Sequence, residues 1–385
     1  MTTIITRAAP AALAVSKLRV MLVDDAIVVR GLFARWVAAE PDLEVVATLR
    51  SGREAVDQIA RIDPDVVVLD VEMPDLDGLS ALPLLLKKKR GLVVIMASTL
   101  TRRNAEISLK ALALGATDYI AKPQSSGPLS GAPDFRRELI EKIRTLGLRA
   151  RSRNAPRIAK TQSFNRLPVI GQAPPLAPQQ PKHVLRAMPL HPPKALLIGC
   201  STGGPQALTA LLRKLGVVID RVPVLVTQHM PPTFTTILAE HLSRVAGRTA
   251  REARHGETVK AGMIYVAPGA RHMKIVQRDG AAVIEIDDSP PINFCKPAVD
   301  PMFASAAEVW GPTALGVVLT GMGSDGLRGA RAITERGGSL LTQDEASSVV
   351  WGMPGQVTNA GLSSAVLPLD QMAGAITRLF TGGHE

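Results

Sequence analysis

Between Arg149 and Lys194 the chain carries nine Lys or Arg and nine Pro but no Asp or Glu. A segment of this kind buries too little apolar surface to offset the entropy of ordering it, and the run APPLAPQQPK (173–182) is too biased to pack. It reads as an extended linker. At 385 residues the chain is already long for one hydrophobic core, and this linker divides it into two units of comparable bulk. The expected organisation is a disordered leader (1–17), a first domain (18–147), the linker (148–193) and a second domain (194–385). Pro10 interrupts the apolar stretch of the leader, which therefore does not read as a targeting signal.

The linker also accounts for the charge. The formal net charge is +11, but nearly all of the excess sits in this one segment. A basic face on a folded domain, the footprint of nucleic-acid binding, is therefore not expected. No stretch approaches the roughly 20 apolar residues needed to cross a bilayer, so direct membrane insertion is not expected either. Cys200 and Cys295 are the only cysteines. Two are too few for a disulfide framework or a zinc cluster, and they fit a reducing cytoplasm.

In the first half, short apolar runs alternate with amphipathic stretches. Strands are predicted at 19–23, 44–49, 65–69, 92–96 and 117–120, and helices include 28–40, 102–115 and 134–147. The last helix has Asp134 as its N-cap and Gly147 just past its end. This pattern predicts a doubly wound, five-stranded parallel sheet covered on both faces. Asp24 and Asp25 follow the first strand and Asp70 ends the third. In such sheets ligands bind beyond the carboxyl ends of the strands. Three carboxylates gathered there call for a hard divalent cation such as Mg²⁺. Ser98 and Lys122 fall at the ends of the fourth and fifth strands, on the same rim.

This half resembles the receiver domain of two-component response regulators, through LVDDA (22–26), LDVEMPDLDG (69–78), MAST (96–99) and YIAKP (119–123). The resemblance implies that Asp70 is the phosphoacceptor and that Asp24, Asp25 and Asp70 bind Mg²⁺ together with the backbone carbonyl of Glu72. It also implies that Ser98 and Lys122 sense the phosphoryl group and that Tyr119 is an aromatic switch. A half-buried structural tyrosine is the competing account of Tyr119.

The second half opens with KALLIGCSTGGPQALTALLRKL (194–215), which reads as strand, tight turn and helix. A phosphate cradle is one possibility for such a turn. However, it fits neither glycine-rich nucleotide fingerprint, and Gln228 and His229 stand where a dinucleotide fold needs an acid. Gly199-Cys200-Ser201-Thr202-Gly203 does fit G-x-S-x-G, a turn that exposes a nucleophilic serine next to helix N–H donors. A serine in this position needs a base and an orienting carboxylate. His229 ends the next strand, and Asp325 lies in the glycine-rich turn of GVVLTGMGSDGLRGA (316–330). The backbone N–H groups of Thr202 and Met322 are the candidate oxyanion donors. His272 ranks second as base, or stands as a substrate-facing residue; His255 sits in a polar turn, and Asp300 is the rival aspartate. The order Ser-His-Asp differs from that of α/β-hydrolases, so the motif does not import their fold. The expected fold is a separate doubly wound, mainly parallel α/β domain.

Taken together, IGCSTGGP (198–205), VTQHMPP (226–232), YVAPGARHM (265–273), KPAVDPMF (296–303), VVLTGMGSDG (317–326) and TQDEASSVVWGMP (342–354) resemble the chemotaxis response-regulator protein-glutamate methylesterase family. The resemblance implies Ser201 as nucleophile, His229 as base and then acid, Asp325 as orienter of His229, and Met322 as oxyanion donor. It implies hydrolysis of glutamate methyl esters on chemoreceptors with release of methanol, and deamidation of glutamines at such sites. The implied partners are methyl-accepting chemoreceptors as substrate and the histidine kinase of the chemotaxis system as phosphodonor. Mg²⁺ serves receiver phosphorylation, and no cofactor is expected for the ester chemistry. A DNA-binding output or a catalytically weak scaffold are the alternatives; the strand–turn–helix units speak against the first, and the presence of all three triad residue types against the second.

Overall fold

The structure, a computed structural model, describes residues 16–122, 132–154, 183–188 and 191–381. The leader up to Val15 and the linker stretch 155–182 lie outside the described residues.

The first domain alternates β1 (Leu18–Val23), α1 (Ile27–Ala38), β2 (Leu43–Leu49), α2 (Gly52–Ile62), β3 (Val66–Asp70), α3 (Gly78–Lys88), β4 (Val93–Ser98), α4 (Arg102–Ala113), β5 (Asp118–Ala121) and α5 (Ala132–Asn154). Its five strands are parallel in the order β2-β1-β3-β4-β5. Every residue of β3 and β4 is buried, as expected for apolar strands with helices on both faces. Side chains at Ser51, Asp77 and Thr101 cap α2, α3 and α4 by accepting from Glu54, Ser80 and Asn104 N–H groups.

The last helix departs from the sequence pattern. It starts at Ala132 rather than after Asp134, and it runs through Gly147 to Asn154. Gly147 serves close packing rather than termination. A Cβ there would come within 2.9 Å of Val66 Cγ2 and 3.0 Å of Leu18 Cδ2, so its absence lets α5 lie close on β1 and β3. The seven residues past Gly147 thus continue the helix into the stretch that composition assigns to the linker.

The second domain contains β6 (Ala195–Cys200), α6 (Gly204–Leu212), α7 (Gly216–Arg221), β7 (Val224–Gln228), α8 (Phe234–Ala246), β8 (Thr249–Glu252) and β9 (Met263–Val266). It continues through β10 (His272–Arg278), β11 (Ala281–Asp287), α9 (Val299–Trp310), β12 (Ala314–Val318), α10 (Leu327–Glu335), β13 (Ser339–Gln343), α11 (Met353–Asn359), β14 (Ala365–Leu367) and α12 (Leu369–Thr381). Seven of its strands form a parallel sheet in the order β14-β13-β12-β6-β7-β9-β8, and β10 and β11 form a separate antiparallel hairpin. From β6 the chain winds first toward β7, and later returns to β12 on the other side. The switch point therefore falls between β6 and β12, where open α/β sheets bind their ligands.

The two domains share a packed boundary. Helix α4 lies against α6 and α8. Tyr119 stacks on Phe234 with ring centroids 4.9 Å apart. Val350 of the second domain joins a hydrophobic cluster of the first domain's core, and Met322 and Val349 pack against that cluster.

Candidate functional site

The receiver pocket is built at the β1/β3 switch point. Asp24, Asp25 and Asp70 each offer a carboxylate oxygen within 4.8 Å of the others. Asp24 and Asp70 are buried, and Asp25 is exposed. Lys122 bridges the buried pair, with its Nζ 2.6 Å from Asp24 Oδ2 and 2.7 Å from Asp70 Oδ2. Burial pushes the Asp70 carboxyl up to about 6 against the pull of the Lys122 ammonium. A carboxylate destabilised in this way gains from a second cation, and an all-oxygen set suits Mg²⁺. Glu72 stands at the mouth, lining a cleft with Asp25, Asp77 and Arg103. The Ser98 hydroxyl is buried 3.0 Å from that of Ser108, at the end of the neighbouring strand. Tyr119 is also buried, but its ring is committed to the stack on Phe234.

In the second domain three adjacent strands bring three side chains to one rim. Cys200 on β6 pairs with Gln228 on β7, so Ser201 and His229 follow as neighbours. Val318 on β12 pairs with Gly199, which sends the following turn, with Asp325, over the same edge. Gly321 backs directly onto the nucleophile loop, since a Cβ there would lie 3.0 Å from Ser201 Cβ.

Asp325 is held from several sides. Its Oδ2 accepts from Val299 N–H at 2.6 Å and lies 2.6 Å from His229 Nε2, and its Oδ1 accepts from Asp300 and Gly326 N–H. The first two of those N–H groups that belong to Val299 and Asp300 open α9, so the carboxylate sits at a helix N-terminus. Burial alone would raise its pKa, but His229 and these donors outweigh burial and hold it below the usual carboxylate range. The commonest fate of an aspartate before glycine is to cap the helix that follows; this one serves a different helix.

His229 carries a second partner. Its Nδ1 lies 3.3 Å from Cys295 Sγ, and among the described residues no hydrogen bond joins the ring to the Ser201 hydroxyl. Burial disfavours a charged ring, yet the Cys295 sulfur and Asp325 prevail and raise His229 to about 10. Gln228 ties the two strand ends together, with Nε2 donating to the carbonyls of Ser201 at 2.9 Å and of His229 at 3.2 Å. Among the described residues neither the Thr202 nor the Met322 N–H donates to a protein acceptor.

The rival residues are committed elsewhere. His272 begins β10, fully buried, and its Nδ1 accepts from Ala298 N–H while Nε2 faces Pro290 O. Both ring nitrogens are bound to backbone, so it cannot serve as base. His255 Nδ1 accepts from Ile286 N–H. Asp300 bonds Gly329 N–H through Oδ1, cross-linking α9 to α10, while its Oδ2 is buried with no partner among the described residues.

Sequence reasoning assigned no part in the site to Cys295 or to the Gln228 amide. Cys295 sits in INFCKP, where nothing periodic marks it; the only hint is that KPAVDPMF follows at once.

A domain with a lysine-bridged acidic pocket at the end of a parallel sheet, packed against a second α/β domain with serine, histidine and aspartate on one rim, defines a class: a response regulator with an α/β output domain. Residues 20–132 match the response regulator receiver domain and residues 196–376 match the CheB methylesterase family. The protein-glutamate methylesterase/protein-glutamine glutaminase of group 2 operon from Rhodopseudomonas palustris is 58% identical over 373 residues, covering 96% of this chain and 95% of its own. That of Nitrobacter hamburgensis is 58% identical over 381 residues, with 98% and 99% covered. The solved catalytic domain of Thermotoga maritima CheB methylesterase is 37% identical, covers 49% of this chain and 98% of its own, and has a TM-score of 0.46. The chain belongs to the family of protein-glutamate methylesterases/protein-glutamine glutaminases that join a receiver to a CheB methylesterase domain.

Proposed function

We propose that this chain demethylates glutamate methyl esters on chemoreceptors, deamidates selected receptor glutamines, and is switched on by phosphorylation of Asp70. The observation that carries the reading is the convergence of Ser201, His229 and Asp325 on adjacent strand ends, with the His229–Asp325 bond already formed.

In this mechanism Ser201 Oγ attacks the ester carbonyl while Nδ1 of His229 takes its proton. Nε2 is bound to Asp325, which leaves Nδ1 as the acting nitrogen. The oxyanion of the tetrahedral intermediate is met by the Thr202 and Met322 N–H groups. Collapse expels methanol, which receives the proton from His229, and leaves an acyl-Ser201. A water, deprotonated by the same imidazole, then releases glutamate and restores the serine. With an amide substrate the leaving group is ammonia, and the steps are otherwise the same.

The receiver contacts support a switch. Of the two proposed oxyanion donors, Thr202 bonds the receiver's Asp118, and Met322 packs against a hydrophobic cluster made mostly of receiver residues. Asp24, Asp25, Asp70 and the Glu72 carbonyl would hold Mg²⁺, which when bound offsets the negative charge at the phosphoacceptor. A dianionic phosphoryl group on Asp70 competes with Asp24 for Lys122, and Lys122 follows β5, the strand that carries Asp118 and Tyr119. The phosphodonor is a chemotaxis histidine kinase and the site of action is the cytoplasm; no helix of the described residues is long and apolar enough to cross a membrane.

The test is methanol release from methylated receptor membranes, with and without a small phosphodonor and Mg²⁺. Donor-stimulated release that disappears in Ser201→Ala supports the reading, and undiminished release in that variant overturns it.

A further inference from the structure

The catalytic histidine in the proposed mechanism has one nitrogen free to act, and that nitrogen is taken. Asp325 is fixed by backbone N–H groups of Val299, Asp300 and Gly326, so it pins Nε2. Nδ1 alone remains for Ser201, and Cys295 Sγ lies 3.3 Å from it. The same sulfur is 3.4 Å from the Asn293 carbonyl. Its S–H can therefore donate to that oxygen while a sulfur lone pair faces the ring N–H.

The turn that delivers Cys295 is strained and is held from outside its own domain. Ile292 and Cys295 exchange backbone hydrogen bonds of 3.1 and 2.8 Å around Asn293 and Phe294. Both of these have left-handed φ values, 50° and 63°. That region suits glycine or asparagine and strains a bulky aromatic. Strain of this sort persists only where surrounding contacts over-determine it, and it gathers at switches. Phe294 is 76% exposed, yet the guanidinium of Arg137 on receiver helix α5 sits over its ring, 3.7 Å from the centroid. One end of the turn is thus gripped by the receiver and the other occupies the catalytic base.

We propose that Cys295 is a positioning residue of the esterase site: in the unphosphorylated protein its thiol holds Nδ1 of His229 away from Ser201, and it withdraws when the receiver loosens Arg137 from Phe294. The inference rests on the role proposed for His229. Activation then has two parts, release of the receiver's hold on Thr202 and freeing of the base, and the second is a local rearrangement of a four-residue turn.

The experiment compares full-length wild type, Cys295→Ala, Cys295→Ser and Arg137→Ala for methanol release from methylated receptors, donor-free and donor-saturated. Losing one hydrogen bond from the resting state should raise the donor-free kcat of Cys295→Ala about fivefold. KM and the donor-saturated rate should stay within about twofold of wild type, less than half the change that one such bond produces. The serine hydroxyl can still meet Nδ1, so Cys295→Ser should restore part of the repression. Arg137→Ala, distant from the chemistry, should move the donor-free rate in the same direction as Cys295→Ala. An unchanged donor-free kcat in a folded Cys295→Ala protein overturns the proposal, as does an equal fall in donor-free and donor-saturated rates. If Cys295→Ala fails to fold, Arg137→Ala decides alone. Wild type without any Ser201-dependent release would instead mean that the function assigned to the site is wrong.

Discussion

The hydroxyl of Thr202 lies 3.0 Å from the Asp118 carboxylate, a buried hydrogen bond between the residue after the proposed nucleophile and the receiver's last strand. Asp118 is also 3.0 Å from Lys142 Nζ, which in turn donates to the Tyr119 carbonyl at 2.6 Å. The loop of the proposed nucleophile is thereby coupled to β5 and α5 of the receiver through one carboxylate.

Thr202→Val removes the hydroxyl, keeps the shape and spares the backbone N–H. A typical hydrogen bond contributes about 1 kcal/mol, so the packing of the receiver on the second domain should weaken by roughly that amount. Donor-free esterase activity should rise a few-fold, measured as methanol release without phosphodonor. A fall in activity would mean that the hydroxyl serves catalysis instead.

Removal of Lys142 tests the receiver side. Burial disfavours its ammonium, but Asp118 and Glu138 outweigh that and hold it charged well above the ordinary lysine range. Lys142→Met would leave Asp118 buried beside no cation, which costs about 3–5 kcal/mol. The receiver's thermal midpoint should fall by several degrees or more, read by calorimetry. An unchanged midpoint would show that water reaches Asp118.

Asp325→Asn keeps the size of the side chain but offers His229 the wrong hydrogen-bonding pattern. An equivalent change in a serine protease lowers kcat by about 10⁴. A loss on the order of 10³ or more in donor-saturated kcat is expected here, with KM little changed. A loss below tenfold would remove Asp325 from the mechanism.

Asp300 gives a pH signature in stability. Burial raises its carboxyl to about 6 in the folded protein, above the 3.8 of an ordinary aspartate. The folded state therefore keeps this proton longer than the unfolded chain, and stability falls as pH rises from about 4 through 6. Asp300→Asn should remove that penalty, stabilising the protein by at most about 3 kcal/mol above pH 7 and little at pH 4. Denaturant unfolding at the two pH values checks it; equal effects at both would show that the Asp300 charge is relieved by another group.

Asp70→Asn should leave donor-free release in place and abolish the response to phosphodonor and Mg²⁺. A retained response would place the phosphoacceptor elsewhere.

Much of this was legible in the sequence because parallel α/β sheets write themselves plainly. Buried strands such as VVVLD and VVIMAS are unbroken apolar runs, and the polar residue that ends each run lands on one rim. Asp70, Ser98, Ser201 and His229 could be found by that rule alone. Gly147 misled because composition marks it as a stop, whereas its neighbours Leu18 and Val66 are more than eighty residues away in sequence. The commitments of His272 to Ala298 and Pro290 could not be read for the same reason. Cys295 depends on a turn whose geometry opposes Phe294, and local preference gives no warning of that.

The anchoring of Asp325 on the first turn of α9 divides labour within the site. Helix α9 packs on β10 and α10, among residues of the second domain's own core, and among the described residues no receiver side chain joins that cluster. Whatever the receiver does, the acid end of the relay stays in register with the sheet. In the proposed mechanism, signal input would act on the Ser201 loop and on the far nitrogen of the His229 ring while the reference point for both remains still, so that the output would be toggled without being rebuilt.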